Sequence, residues 1–132
     1  MSVQQDAVAI RPSYRIRENE PAGVIRMEVE GFFDVGTLRR HFADNHMVVR
    51  EWRARQRSIR VLIDAVKLMP HSPDGQAIVQ ASTAAIYEQS DKVAVLVSSG
   101  LVKMQMRRAL KQGDIIEFFT RECDALEWLA EV

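Results

Sequence analysis

Two short runs constrain this chain more than anything else in it: residues 59–65 (IRVLIDA) and 92–97 (KVAVLV), both β-branched and nearly continuous in apolar character. A strand wetted on one face alternates polar and apolar residues, so runs like these suit central strands covered on both faces, as in a parallel sheet. Parallel neighbours need crossovers, and the segments around the two runs read as helices. Residues 35–55 place Leu38, Phe42, Asn45, Val49 and Trp52 on one helical face, with most of the charges elsewhere. Asp34 offers a carboxylate cap, and Phe33 and Leu38 stand at the spacing of a hydrophobic staple. This helix is expected to end near residues 55–58.

Between the two runs, Ser72-Pro73-Asp74-Gly75 reads as a helix start, with Ser72 as cap and Pro73 in the first helical position, leading into residues 76–87. Another helix is predicted over residues 100–112, stopped by Gly113. A last strand follows at 115–119, and then a final helix capped by Thr120, with Glu122 and Asp124 in its first turn. Ala125, Leu126, Trp128 and Leu129 are its expected buried stripe. Upstream, residues 14–18 and 25–30 alternate around the turn Asn19-Glu20-Pro21-Ala22-Gly23, which predicts a β-hairpin with one wet face, ended by Gly31. Residues 1–12 carry no clean period and read as a loose leader. The whole is an α/β chain of order ββαβαβαβα with a mixed, mostly parallel sheet and helices packed on it, forming one domain over residues 13–132.

Composition narrows function. The 132 residues suit one core, and 18 Lys and Arg against 18 Asp and Glu leave no basic excess of the kind that marks nucleic-acid binding. A single cysteine, Cys123, cannot form an intramolecular disulfide, and no run approaches the roughly 20 apolar residues of a membrane span. A cytoplasmic location is the expectation, peripheral to a membrane at most. Cys123 is expected to be a small buried residue.

Three strings resemble the SpoIIAA-like branch of the STAS superfamily: VLIDA at 61–65, DKVAVLVSSGLVKMQMRR at 91–108 and FFTRECDALEWL at 118–129. The resemblance runs from about Tyr14 to the C-terminus and includes no catalytic motif. It implies a STAS-like fold and a binding module rather than an enzyme. In the anti-sigma-factor antagonists of that superfamily, a serine in the turn after the third strand is the phosphorylation switch. The matching stretch here is 72–75, where the acceptor position falls on Pro73, which has no hydroxyl, with Ser72 beside it. The likeness of this fold to CRAL-TRIO lipid-binding domains implies an apolar, lipid-like ligand or a membrane surface.

Candidate site residues follow from two considerations. Ligands of open parallel sheets sit beyond the carboxyl ends of the strands, where this sequence supplies Asp64, His71, Ser72, Ser98 and Ser99. The plainer reading is that Asp64 ties a loop and the serines cap helices. In the 100–112 helix, Lys103, Arg107 and Lys111 repeat every four residues beside Arg108, with Leu101 and Met104 near the basic stripe. Such a helix can lie on an anionic leaflet, or simply present a solvated basic face. His41 and His46 are five apart, on different sides of a helix, and no metal-ligand, phosphate-loop or nucleophile motif is present. The expectation is a domain with no metal, cofactor or catalytic residue, engaging an apolar molecule, an anionic membrane or a protein partner, with a homodimer also in view. The alternative is a regulatory protein-interaction module of the anti-sigma-factor-antagonist type.

Overall fold

The computed structural model describes residues 11–110 and 114–131. Nine elements succeed one another: β1 (Ser13–Asn19), β2 (Val24–Gly31), α1 (Val35–Ala54), β3 (Arg60–Leu68), α2 (Pro73–Ile86), β4 (Lys92–Leu96), α3 (Gly100–Ala109), β5 (Ile116–Phe119) and α4 (Glu122–Ala130). This is the predicted order. The sheet runs β1-β2-β3-β4-β5, with β1 antiparallel to β2 and every other pair parallel.

That strand order decides where the helices lie. Each crossover steps one place in the same direction, so three right-handed crossovers put α1, α2 and α3 on one face. There Leu38, Val49 and Trp52 of α1, Ile86 of α2 and Leu110 at the end of α3 pack with the inward residues Ile25, Met27, Val61, Ala65, Val93 and Ile116. Helix α4 follows the last strand with no crossover to make, and it covers the other face, where Ala125 and Leu129 meet Leu62, Ala94 and Leu96.

Local chemistry supports each element. Asp34 caps α1 by accepting the Thr37 amide at 2.7 Å, and Phe33 and Leu38 are both buried against the core. Gly31 ends β2 at φ +84°, a left-handed conformation costly for a side-chain-bearing residue. The indole of Trp52, fully buried, donates to Glu18 at 2.6 Å, and Arg57 lies 4.7 Å over its ring. Arg53 joins the buried Asp91 at 2.5 Å and donates to the Ile86 carbonyl at 2.8 Å, tying α1 to the turn before β4. On the far face Lys92 donates to the Trp128 and Glu131 carbonyls at 3.0 and 2.9 Å, and Arg60 donates to that of Leu129. Cations at the C-terminal carbonyls suit the helix dipole and anchor α4.

The structure departs from expectation in several places. β3 continues to Leu68, three residues past the apolar run. Arg121, not Thr120, occupies the cap position of α4 and makes no side-chain capping bond. Leu126 is 41% exposed and Cys123 is exposed, because α4 is only nine residues long and touches the sheet through the narrow Ala125–Leu129 stripe. No helix among the described residues is long and apolar enough to cross a membrane. The expected loose leader lies almost wholly outside the described residues, as do Lys111, Gln112 and Gly113 at the expected end of the third helix.

Candidate functional site

The turn from β3 to α2 is the most constructed segment at the carboxyl edge of the sheet. The Met69 amide donates to the Gly31 carbonyl at 3.0 Å, which holds the end of β3 beside β2. Ser72 then adopts an extended conformation, and its Oγ accepts the Gly75 amide at 3.1 Å, with Pro73 opening α2 and Asp74 in its first turn. A Cβ on Gly75 would stand 3.1 Å from Leu38 Cδ1 and 3.2 Å from His71 Cβ, tighter than ordinary contact, so a larger residue there would push its neighbours apart by roughly a few tenths of an ångström. Met69 is 38% exposed here, and Met104 on α3 is 59% exposed.

Beneath this turn, His71 lines a small cavity between the sheet and α1, α2 and α3, of about 70 Å³. His41 lines the same space, buried among aromatic rings: Tyr14 at 4.9 Å, Phe42 at 5.1 Å and Phe33 at 6.0 Å between centroids. His71 meets Phe33 from another side at 6.5 Å. Burial pushes the His41 imidazole down to about 4, overcoming the Asp44 carboxylate that pulls it up, and His71 adds in the downward direction. Burial also lowers His71. Both rings are therefore neutral near pH 7, and both leave Nδ1 buried with no hydrogen-bond partner. Deeper in, Asn45 Nδ2 donates to the Tyr87 hydroxyl at 3.1 Å, which donates back to Asn45 Oδ1 at 3.2 Å. Burial raises the Tyr87 phenol well above its ordinary value.

The strand-end residues singled out in the sequence are not gathered into one crevice. His71 and Ser72 lie on the α1–α3 side, whereas Asp64 points through the sheet to the other face. There it accepts the Val66 amide at 3.3 Å and lies 3.8 Å from Arg26, which also reaches Glu122 at 2.7 Å. Ser98 and Ser99 are exposed beyond β4, and the Ser99 carbonyl accepts the Lys103 amide in the first turn of α3. The open part of that far face forms a groove of about 470 Å³ with charges of both signs, including Arg15, Glu28, Glu30 and Lys67.

The basic helix is also less free than its sequence suggests. Arg107 is bonded to Glu117 of β5, whose carboxyl burial alone would raise but which Arg107 and the Phe118 amide hold below its ordinary value. Lys103 is half-buried. The side chains of Leu101 and Arg108, and the whole of Lys111, lie outside the described residues. Nor does the cavity have lipid dimensions: at about 70 Å³ it falls far short of the roughly 300–1,000 Å³ of pockets that enclose drug-sized ligands. Among the described residues, no three His, Cys, Asp or Glu side chains are grouped to hold a metal ion. Reading the sequence for metal motifs set His41 aside. Its spacing with Leu38, Asn45 and Trp52 is the signal that places it on the buried face of α1.

No protein-family model matches the chain, and no curated protein does. Solved structures do. The chain is similar to an uncharacterised DUF3478-family protein with a SpoIIAA-like fold from Shewanella loihica PV-4, at a TM-score of 0.69 and 17% identity over 90% of this chain and 93% of that one. An anti-sigma factor antagonist from Mycobacterium paratuberculosis matches at 0.61 and 14% identity, over 92% and 96%. The anti-sigma factor antagonist SpoIIAA in its unphosphorylated form matches at 0.63 and 11% identity, over 91% and 100%. Identities this low establish shared architecture, and the architecture is the SpoIIAA-like one that the three sequence strings resemble.

Proposed function

From this SpoIIAA-like fold we propose that the protein is a non-enzymatic regulatory module that binds another protein through the carboxyl edge of its sheet, at the β3–α2 turn and the start of α3. The observation that carries the reading is the turn itself. It is tied to β2, capped by Ser72 and seated on α1 through Gly75, and it carries the exposed Met69, while Met104 is exposed on α3. A turn held by these bonds, with exposed, flexible methionines on it and on α3, suits adaptable protein contact. Two structural neighbours that match over nine-tenths of the chain are anti-sigma factor antagonists, which supports a regulatory partner over a lipid.

A phosphate is not the switch in this reading. Pro73 offers no acceptor, and Ser72 Oγ is engaged as the helix cap. Phosphopeptide mapping that found Ser72 substantially modified in cells would overturn that part.

Photo-crosslinking tests the surface. A photoreactive residue at position 74 or 104 should give the same discrete protein adduct in cells, competed by excess unlabelled protein, and one at position 15 on the far face should not. No adduct from the first two positions, or equal adducts from all three, removes the reading.

A further inference from the structure

Buried polar atoms in native proteins nearly always have a partner, so an orphan calls for an explanation. Here two orphans, Nδ1 of His41 and Nδ1 of His71, belong to rings that line the same cavity, and His41 is only 5% exposed. The other polar groups along the wall are already committed: Asn45 and Tyr87 to each other, and the Thr83 hydroxyl to the Val79 carbonyl at 2.8 Å. The rest of the described wall is apolar, and among the described residues no Lys, Arg, Asp or Glu lines it. An ion placed there would meet no countercharge and only neutral imidazoles.

Water fills such a space poorly. Most of the lining is apolar and gives water nothing to bond, while the two ring nitrogens are the polar atoms left without a partner. A hydroxyl on a short apolar body satisfies both sets of walls at once. It donates and accepts, so it serves a ring nitrogen in either tautomer, and its carbons cover the aliphatic lining.

We propose that this cavity is a binding site for one small, uncharged hydroxyl compound, of the size of a short-chain alcohol, held by His41 and His71. Half-buried Phe42, Val79 and Met106, one from each of the three helices, line the cavity, and Met106 is the side chain best able to yield for entry. Because His71 precedes the Ser72 cap, an occupant also braces the β3–α2 turn from below. Binding itself does not depend on the proposed partner.

The test uses the full chain with ethanol and propan-1-ol as probes, and xenon as an apolar probe of the void. Long-range proton–nitrogen NMR on the histidine rings should show saturable shifts of Nδ1 in both His41 and His71 on adding either alcohol. At the ceiling of about 1.5 kcal/mol per heavy atom, ethanol binds no tighter than about 0.5 mM and propan-1-ol no tighter than roughly tens of micromolar. His41→Phe, which keeps an aromatic ring among Tyr14, Phe33 and Phe42, should weaken alcohol binding about tenfold or more while leaving xenon binding and the circular dichroism spectrum unchanged. His71→Phe gives an independent second variant should the first not fold. The proposal is overturned if the wild-type ring nitrogens shift only linearly, if methyl signals saturate while both Nδ1 signals stay still, or if a folded variant binds alcohol as the wild type does.

Discussion

The two faces of the sheet are built from the same strands and could hardly differ more. On one, alternate residues such as Val61 and Ala65 meet three helices and close a large apolar core whose few polar groups are sealed inside. On the other, their neighbours Leu62 and Asp64 meet one nine-residue helix, a five-residue buried cluster and an open ionic surface centred on Arg26. Coverage follows from topology. Crossovers send helices to one side only, and what remains for the other is a terminal helix held at its two ends by charge, through Arg26 at the start and Arg60 and Lys92 at the finish. The covered face can therefore bury histidines without partners, whereas the open face keeps its charges in water.

The sharpest way to break the contrast is to remove the same residue type from each face. Trp52→Ala should cost about 3–5 kcal/mol in urea unfolding, because the ring is fully buried and its indole is bonded to Glu18. Trp128→Ala, half-buried against Phe119 and Lys92 on the far face, should cost no more than about half of that. Equal losses would mean the faces are energetically alike.

Acid should act on the covered face next. His41 has a folded value of about 4 against 6.5 when free, so the unfolded chain takes a proton that the folded chain refuses. Stability is then whole above pH 6.5 and falls as the pH drops towards 4, by about 3 kcal/mol in total, with His71 contributing in the same direction. His41→Phe should flatten this slope in chemical unfolding measured pH by pH; an unchanged slope would place the sensitivity elsewhere.

Smaller effects separate the helices. Ser72→Ala should lose about 1 kcal/mol through the missing cap of α2, whereas Thr120→Ala should be near neutral because Thr120 does not cap α4. Smallest of all, Glu122→Gln loosens a partly exposed pair whose Arg26 retains Glu28 and Asp64 nearby, a cost of about 0.5 kcal/mol that vanishes in high salt. Thermal unfolding at two salt concentrations checks it.

The parts of this fold that are legible in the sequence are those whose causes are local. Asp34 and Ser72 announce their helices because the capping oxygen and the amide it accepts are three residues apart. The runs at 59–65 and 92–97 announce central strands because both faces of each are written in consecutive residues. Where the cause is long-range, the reading fails or falls short. Leu126 and Cys123 belong to an amphipathic-looking helix, yet only its narrow Ala125–Leu129 stripe reaches the sheet. The basic repeat on α3 is visible, but the Glu117 carboxylate that engages Arg107 comes from a separate strand.

By itself, then, the sequence determined the order of the elements, their caps and the alternation that sorts residues into two sets on each strand. Only the tertiary structure decided which set faces three helices and which faces one. It alone brought His41 and His71, thirty positions apart, to line one cavity while sending Asp64 to the opposite side. The physical reason is that burial belongs to the assembled layers: a histidine on an amphipathic helix carries no mark of its partner's absence until strand order and crossover hand have chosen the side on which the core closes.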